Sequence, residues 1–185
     1  MANVVYDFNP HNLPPDYLAA IGLVTACAAQ AEEAVETLIA ACLGIDAEYG
    51  MAVTSHMAVP LRDNVARAVA EIRFENLGAL DELDILLDRI SQAFDKRNAV
   101  IHHSWTRHPQ TGHVFTVKQT ARGSVKVEVI SMSAEDISAD AAFIYSAGID
   151  LVRFMIAYGL KPIPPSGRPR AHKTRKARKA RGKNG

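Results

Sequence analysis

Three residues near the middle of the chain, Arg97, Asn98 and His102, carry side chains suited to chemistry on a phosphate group. Arginine keeps its proton at neutral pH and presents forked N–H donors to phosphate oxygens. Histidine titrates near neutrality and can act as a general acid or a general base. With the asparagine required, this spacing is expected about 0.02 times by chance in a chain of this composition. The triplet is therefore a more specific signal than a bare Arg–His pair.

The chemistry that these residues can perform is cleavage of RNA through its own 2′-hydroxyl. That reaction needs a proton acceptor, a proton donor and positive charge on the phosphate as it gains charge. Histidine and arginine supply these without a metal ion or another cofactor. The two cysteines and the remaining histidines fit no metal-ligand spacing, so the sequence suggests no metal and no cofactor.

The segment that carries the triplet is predicted to be a helix from about Leu77 to His103, the third helix of the chain. Its apolar face is formed by residues three or four positions apart, Leu83, Leu87, Ile90, Phe94 and Ile101. Arg97 takes the next position in this stripe, where packing favours an apolar residue. A charge there is costly unless it is paired or lies in a cleft or subunit interface. The structural alternative is a salt bridge to Asp95, Glu33 or Glu36.

Helix geometry restricts how Arg97 and His102 can meet. Residues five positions apart diverge by about 140° around a helix, so these two meet only through the reach of arginine, the end of the helix or pairing across a dimer. His102 taken alone would be interpreted as a cap of the helix C-terminus. His103 is either a substrate contact or a solvated flank. Trp105 is favoured as a packing residue over a platform for base stacking.

Two further helices are predicted before this segment. The first begins after Pro14-Pro15 with Asp16 as its N-cap and ends at Gly44. Its alanines would let a neighbouring helix approach closely. A connector of residues 45–59 leads to the second helix, which begins at Pro60. The apolar face predicted for the second helix consists of Leu61, Val65, Ala68 and Ile72.

The pattern changes after the third helix. Residues 114–117 and 125–129 predict two strands joined by a turn at 121–124. Ser133 and Asp136 form a capping box that opens the last helix, and this helix is expected to end at Gly159. The predicted fold class is therefore all-α, a bundle of four main helices with a β-hairpin inserted before the last helix and a disordered basic C-terminal tail.

The net charge of +1 conceals a division between body and tail. Residues 1–160 hold all 20 acidic residues and 11 Lys and Arg, a net charge of −9, whereas residues 161–185 hold 10 Lys and Arg and no acid. We divide the chain into an arm (1–15), a helical domain (16–160) and this tail. The tail could contact nucleic-acid phosphates, solubilise the protein or fold back on the acidic body. The candidate phosphate contacts are Arg168, Arg170, Lys173, Arg175, Lys176, Arg178, Lys179 and Arg181.

Several classes of protein are not indicated by the sequence. Residues 1–15 carry no Lys or Arg and no apolar stretch, unlike a secretory signal. The longest apolar run, residues 17–31, falls short of the roughly 20 residues that a membrane span requires. Cys27 and Cys42 are too far apart on one predicted helix to form a disulfide. We interpret them as buried free thiols, and the expected location is the cytoplasm.

The motif Arg97-Asn98-x3-His102, at the end of a long helix that follows one long helix and precedes another, resembles that of the HEPN superfamily (higher eukaryotes and prokaryotes nucleotide-binding). The resemblance covers roughly residues 16–160. It implies a metal-independent endoribonuclease that acts as a homodimer, with the two motifs facing across the two-fold axis. Such proteins often serve as toxins or defence effectors, and a toxin would have a cognate antitoxin. Arg97 and His102 would be catalytic, with Asn98 and His103 in support.

The chain departs from one subtype of this superfamily. Some toxin members carry an acid eight residues and a lysine four residues before the motif arginine, where this chain has Arg89 and Ala93. One alternative is therefore a non-catalytic HEPN-like module that binds nucleotide, RNA or a protein through the same groove. Another is a nucleic-acid binder that uses its basic tail, with a bundle that only dimerises; Arg97 would then be structural.

Overall fold

The computed structural model of the chain describes residues 7–121 and 125–164. This part of the chain is mostly helical, with a small antiparallel sheet between the fourth and fifth helices. The helices are α1 (Pro15–Leu43), α2 (Ala47–Thr54), α3 (Val59–Arg73), α4 (Leu77–Ile101) and α5 (Ala134–Ala157). The strands are β1 (Ser104–Arg107), β2 (Val114–Thr120) and β3 (Lys126–Ser131).

The sheet has three strands where a two-stranded hairpin was predicted. The predicted pair is present as β2 and β3, with Val117 opposite Val129. The additional strand, β1, pairs with β2 and places Ser104 opposite Val117. Its four residues are too few to establish an alternating pattern in the sequence. Part of the predicted turn, residues 122–124, lies outside the described residues.

The first half of the chain contains a short helix that was predicted as a connector. Asp46 begins α2 by accepting hydrogen bonds from the N–H groups of Glu48 and Tyr49, each at 3.0 Å. The predicted N-cap of α1 is also wrong, because Pro14 occupies the cap position and Asp16 lies in the first turn. The predicted end of α1 is confirmed, since Gly44 has the left-handed conformation at φ 64° that glycine adopts readily.

Small residues bring α1 and α5 close together, as the alanines of α1 predicted. Gly148 of α5 lies against Ala31, and a Cβ atom at position 148 would be 3.2 Å from the Cα atom of Ala31. Helix α1 also packs against α3 and α4. The core between these helices is filled by side chains that are almost completely buried, including Leu38, Leu83, Leu87, Ile137, Ile144 and Leu151.

The buried face of α3 differs from the prediction. Arg62, Ala66 and Ala70 are buried, whereas Leu61 and Ile72 are 52% and 87% exposed. The two small alanines allow neighbouring helices to lie close to α3, and a stripe of larger apolar residues would hold them further apart. The sequence suggested the wrong face of α3 because it shows which side chains are large and apolar. It does not show how much space the neighbouring helices leave for them.

The capping box at the start of α5 is confirmed. The Ser133 hydroxyl accepts a hydrogen bond from the Asp136 N–H at 3.0 Å, and the Asp136 carboxylate accepts one from the Ser133 N–H at 3.0 Å. The hydrogen bonds that the Asp136 carboxylate accepts from the Ser133 N–H and from the Ser133 hydroxyl lower the pKa of Asp136 below its ordinary value. The box orients α5 where the chain leaves the sheet, and Gly159, at φ 64°, follows the end of the helix.

By length and composition alone, α1 could cross a membrane, although its apolar run was expected to fall short. The core helix of a globular protein meets the same criteria. In this structure 11 of the 29 residues of α1 are buried, and they contact the other helices. The packing is that of a central core helix.

Both ends of the described chain are held to the body by backbone hydrogen bonds. Asp7 pairs with Arg107 of β1 in antiparallel fashion, and the Ile163 N–H donates to the Ile45 carbonyl at 3.1 Å. Asp7 therefore forms an isolated bridge beside β1, and the first residues after α5 return to the connection between α1 and α2. Residues 165–185, on which the predicted tail contacts fall, lie outside the described residues.

Candidate functional site

The end of α4 carries the motif, and salt bridges to α5 hold this helix in place. Arg89 pairs with Asp150 and donates a hydrogen bond to the Ser146 hydroxyl at 3.1 Å. Lys96, next to the motif arginine, pairs with Asp140. Arg89 therefore joins α4 to α5. Ala93, at the second position where the chain departs from the toxin subtype, is completely buried, so this site has no room for a lysine.

The structure brings Arg97, Asn98 and His102 together within one chain. Arg97 Nη1 donates a hydrogen bond to Asn98 Oδ1 at 3.0 Å and lies 3.1 Å from His102 Nε2. Because a guanidinium group only donates hydrogen bonds, Nε2 is the acceptor in this contact. The group therefore pairs a phosphate-binding donor with a potential general base.

The contact forms because α4 ends between Arg97 and His102. Ile101 is the last helical residue, and His102 is the C-cap with φ −100° and ψ −7°. Its N–H still donates to the Asn98 carbonyl at 3.0 Å. The chain then turns into β1, and the imidazole is within reach of the long arginine side chain. Of the three ways in which these side chains could meet, the structure uses the reach of arginine and the end of the helix.

The salt bridge considered as the structural role of Arg97 is not formed. In the described part of the chain, no carboxylate pairs with the Arg97 guanidinium. Glu36, one of the predicted partners, pairs with Arg62 at 3.5 Å. Asp95 is exposed. Arg97 is half-buried and contacts the side chains of Asn98 and His102, so among the described residues its charge is not neutralised by a carboxylate.

Trp105 fixes the position of the turn that follows the motif. Its indole N–H donates to the Val100 carbonyl at 2.9 Å, and its ring packs edge-on against Tyr17 with centroids 6.3 Å apart. The first strand is thereby fastened to the last turn of α4 and to the start of α1. Trp105 is a packing residue that supports the position of His102, in line with the interpretation favoured from the sequence.

His103 does not join the hydrogen bonds of the triplet. Its Nδ1 is buried and has no hydrogen-bond partner among the described residues. Burial lowers the pKa of His103, and the charge of Lys118 lowers it further, while Glu128 opposes this shift. Lys118 and Glu128 face each other across β2 and β3, 3.9 Å apart. His103 is therefore coupled to the charges of the sheet.

A cleft of about 230 Å³ lies beside the motif, between α1, α3 and α4. Its apolar walls include Val35, Leu87, Ile90 and Phe94, and its polar lining includes Arg62, Asn64, Asp95 and Asn98. Asn98 belongs to both features, because it bonds to Arg97 and lines the cleft. We call this feature the α3–α4 cleft.

The sequence analysis missed both the cleft and Arg62. Arg62 is 7% exposed, and its guanidinium lies 3.6 Å from Glu32 and 3.5 Å from Glu36. It also donates to the Met57 carbonyl at 3.3 Å. The available signal was the four-residue spacing from Arg62 to Ala66 and Ala70, which is the period of one helix face.

Metal ligands and reactive thiols are the other chemical groups that could mark a site in this chain. Among residues 7–121 and 125–164, no three His, Cys, Asp or Glu side chains are grouped so that they could hold a metal ion. Cys27 and Cys42 are free thiols, and burial raises the pKa of Cys42 to about 11. No family model, curated protein or solved structure matches the chain.

Proposed function

We propose that this chain is a HEPN-type endoribonuclease that cleaves RNA at Arg97 and His102 without a metal ion. The observation that carries the proposal is the 3.1 Å contact between Arg97 Nη1 and His102 Nε2, on a guanidinium that no carboxylate pairs with among residues 7–121 and 125–164. A phosphate oxygen would take its charge-assisted hydrogen bonds from Arg97. Asn98 holds the guanidinium in place.

In the proposed reaction the phosphate takes the Arg97 guanidinium away from His102, and the freed His102 Nε2 accepts the proton of the RNA 2′-hydroxyl as the 2′-oxygen attacks phosphorus. The bond from phosphorus to the 5′-oxygen of the next nucleotide then breaks. The products are a 2′,3′-cyclic phosphate and a 5′-hydroxyl, whose oxygen receives a proton. Arg97 stabilises the negative charge that builds up on the phosphate oxygens in the transition state.

We further propose that the protein is a homodimer in which the ends of two α4 helices face each other. The exposed position of His102 leaves it open to a second copy. The contact between Arg97 and His102 needs no second chain, so the role of the dimer is a different one. A second copy's His102, in its protonated imidazolium form, would donate the proton that the leaving 5′-oxygen requires.

A second candidate function is a non-catalytic HEPN-like module that binds nucleotide, RNA or a partner protein at the same surface. The observation that favours it is the use of Arg89 for the contact with Asp150 and the burial of Ala93. Positions 89 and 93 therefore do not carry the accessory acid and lysine of the toxin subtype. The cytoplasm is the proposed location for both functions. A toxin role with an antitoxin partner would follow only from the catalytic one.

Incubation of the purified chain with RNA in EDTA tests the catalytic proposal. We expect cleavage that survives the chelator and leaves cyclic or 3′-phosphate ends, because the 2′-hydroxyl is the nucleophile. DNA of the same sequence should remain intact since it lacks that group. Light scattering of the same preparation should give the mass of a dimer. RNA binding without any cleavage would favour the non-catalytic module.

The basic tail is proposed to bind RNA backbone without reading its sequence. Removal of residues 165–185 deletes nine Lys and Arg and keeps the hydrogen bond from Ile163 to Ile45. We expect an unchanged melting temperature, weaker RNA binding and a flatter salt dependence, with the slope reduced by roughly 0.7–0.9 for each lost phosphate contact. The control is a full-length chain in which glutamine replaces these nine Lys and Arg residues, so that the tail keeps its length. Equal slopes for the full and shortened chains would exclude the tail as an RNA contact.

A further inference from the structure

The α3–α4 cleft has the size and the walls of a site for a single nucleobase. Its volume of about 230 Å³ is below the 300–1,000 Å³ that is typical of sites for drug-sized ligands. Its lining combines the apolar side chains of Val35, Leu87, Ile90 and Phe94 with polar side chains that include Asp95 and Asn98. Apolar walls that contact the faces of a base, with polar groups on its edge, are how proteins hold an unstacked base.

The charges around the cleft do not suit a phosphate group. Arg62 is already paired with Glu32 and Glu36. Arg67, on the same helix, is shared by three carboxylates, those of Asp63, Asp84 and Asp88. Asp95 adds a further carboxylate to the lining. Because acids outnumber cations at this surface, a ligand that donates hydrogen bonds is favoured there over an anion.

Asp95 is the lining group best suited to distinguish bases. It is exposed, and in the described part of the chain its carboxylate makes no ion pair or hydrogen bond. A carboxylate accepts two parallel N–H donors. Among the four RNA bases only guanine presents two adjacent donors on its Watson–Crick edge, the N1–H and the exocyclic amino group. Uracil presents a single N–H between two carbonyl oxygens.

The cleft is joined to the motif by Asn98. Its Oδ1 accepts the hydrogen bond from Arg97 at 3.0 Å, and the same side chain lines the cleft. A nucleotide with its 3′-phosphate on Arg97 would therefore have its base at the mouth of the cleft. This is the nucleotide whose 2′-hydroxyl would face His102.

We infer that the α3–α4 cleft binds the base on the 5′ side of the scissile phosphate and selects guanine through Asp95. The inference rests on the proposed ribonuclease function for the position of the phosphate. The recognition of the base itself depends only on the cleft. Cleavage, where it occurs, should follow guanine residues.

Binding of nucleoside 3′-monophosphates tests the inference without turnover. Titration of the full-length protein with guanosine 3′-monophosphate and uridine 3′-monophosphate should give at least a tenfold lower Kd for the guanosine compound. Asp95→Asn should remove this preference, because an amide offers a single acceptor. Asp81→Asn is the matched control, since it makes the same change in charge at an exposed position of α4 outside the cleft, and it should keep the preference.

The outcomes separate this inference from the proposed function. Guanine preference in a protein that does not cleave RNA would support the cleft and contradict the ribonuclease. Cleavage after all four bases, with equal Kd values for the two nucleotides, would overturn the cleft and leave the ribonuclease standing. Retention of the preference in Asp95→Asn, or its loss in Asp81→Asn, would also overturn the assignment. Thermal melts of both variants ensure that the comparison is made on folded protein.

Discussion

Arg97→Ala and His102→Ala are each expected to reduce RNA cleavage by about 10²–10³ or more, the usual cost of losing a group that stabilises transition-state charge or transfers a proton. Neither variant should unfold the protein. His102 is exposed and Arg97 is half-buried, and removal of Arg97 leaves no carboxylate without its partner among the described residues. The two substitutions therefore remove a contact at the surface and spare the core.

The double variant should be no less active than the single variants, because residues that act as a unit have non-additive effects. Initial cleavage rates and thermal melts of the three variants, measured on one RNA, give the comparison. Lys126→Ala, at an exposed position of β3, is a control that removes a positive charge outside the triplet. An Arg97→Ala protein that melts early, beside a fully active His102→Ala protein, would show Arg97 to be structural and contradict the proposed mechanism.

Arg62→Ala, unlike Arg97→Ala and His102→Ala, should cause a large loss of stability. The arginine side chain is 9% exposed, while the side chains of Glu32 and Glu36 are 33% and 20% exposed. Its removal leaves two carboxylates without their cation. Breaking a fully buried pair costs about 3–5 kcal/mol, and because these carboxylates still reach water we expect a decrease of about 2 kcal/mol in the free energy of unfolding.

Urea denaturation of Arg62→Ala beside Arg97→Ala measures this difference directly. A rescue variant, Arg62→Met with Glu36→Gln, should recover part of the stability because it removes a charge from both sides of the ion pair. Equal unfolding free energies for Arg62→Ala and the unchanged protein would mean that the ion pairs contribute nothing. The same result would mean that Arg62 and Arg97 do not differ in their contribution to stability.

Local signals in the sequence were sufficient for several elements. The left-handed residue at Gly44, the capping box of Ser133 and Asp136, and the apolar stripe of α4 depend on interactions within a few residues along the chain. Such interactions are encoded by residue type and spacing. The residues of the motif were found in the same way, because Arg97, Asn98 and His102 lie within six positions. Their ribonuclease role remains a prediction.

Elements that depend on distant partners could not be found in this way. The strand β1 exists because β2, ten residues later, pairs with it, and its own four residues have no detectable period. The buried face of α3 is set by the space that the neighbouring helices leave, and it carries Ala66 and Ala70, whereas the larger Leu61 and Ile72 are exposed. Packing between helices depends on the space that the partner leaves, and no single segment contains that information.

The partners of the charged side chains near the site also depended on the tertiary structure. From the sequence, Arg97 had the acids of α1 as candidate partners, and Arg62 was not considered. Only the tertiary structure decided that Glu36 pairs with Arg62 and that Arg97 turns to Asn98 and His102. The cause is geometric, because an ion pair forms only between charges that folding brings within a few ångströms, and α3 places Arg62 3.6 Å from Glu32 and 3.5 Å from Glu36. The guanidinium at the end of α4 is left without a carboxylate partner in the part of the chain that the structure describes.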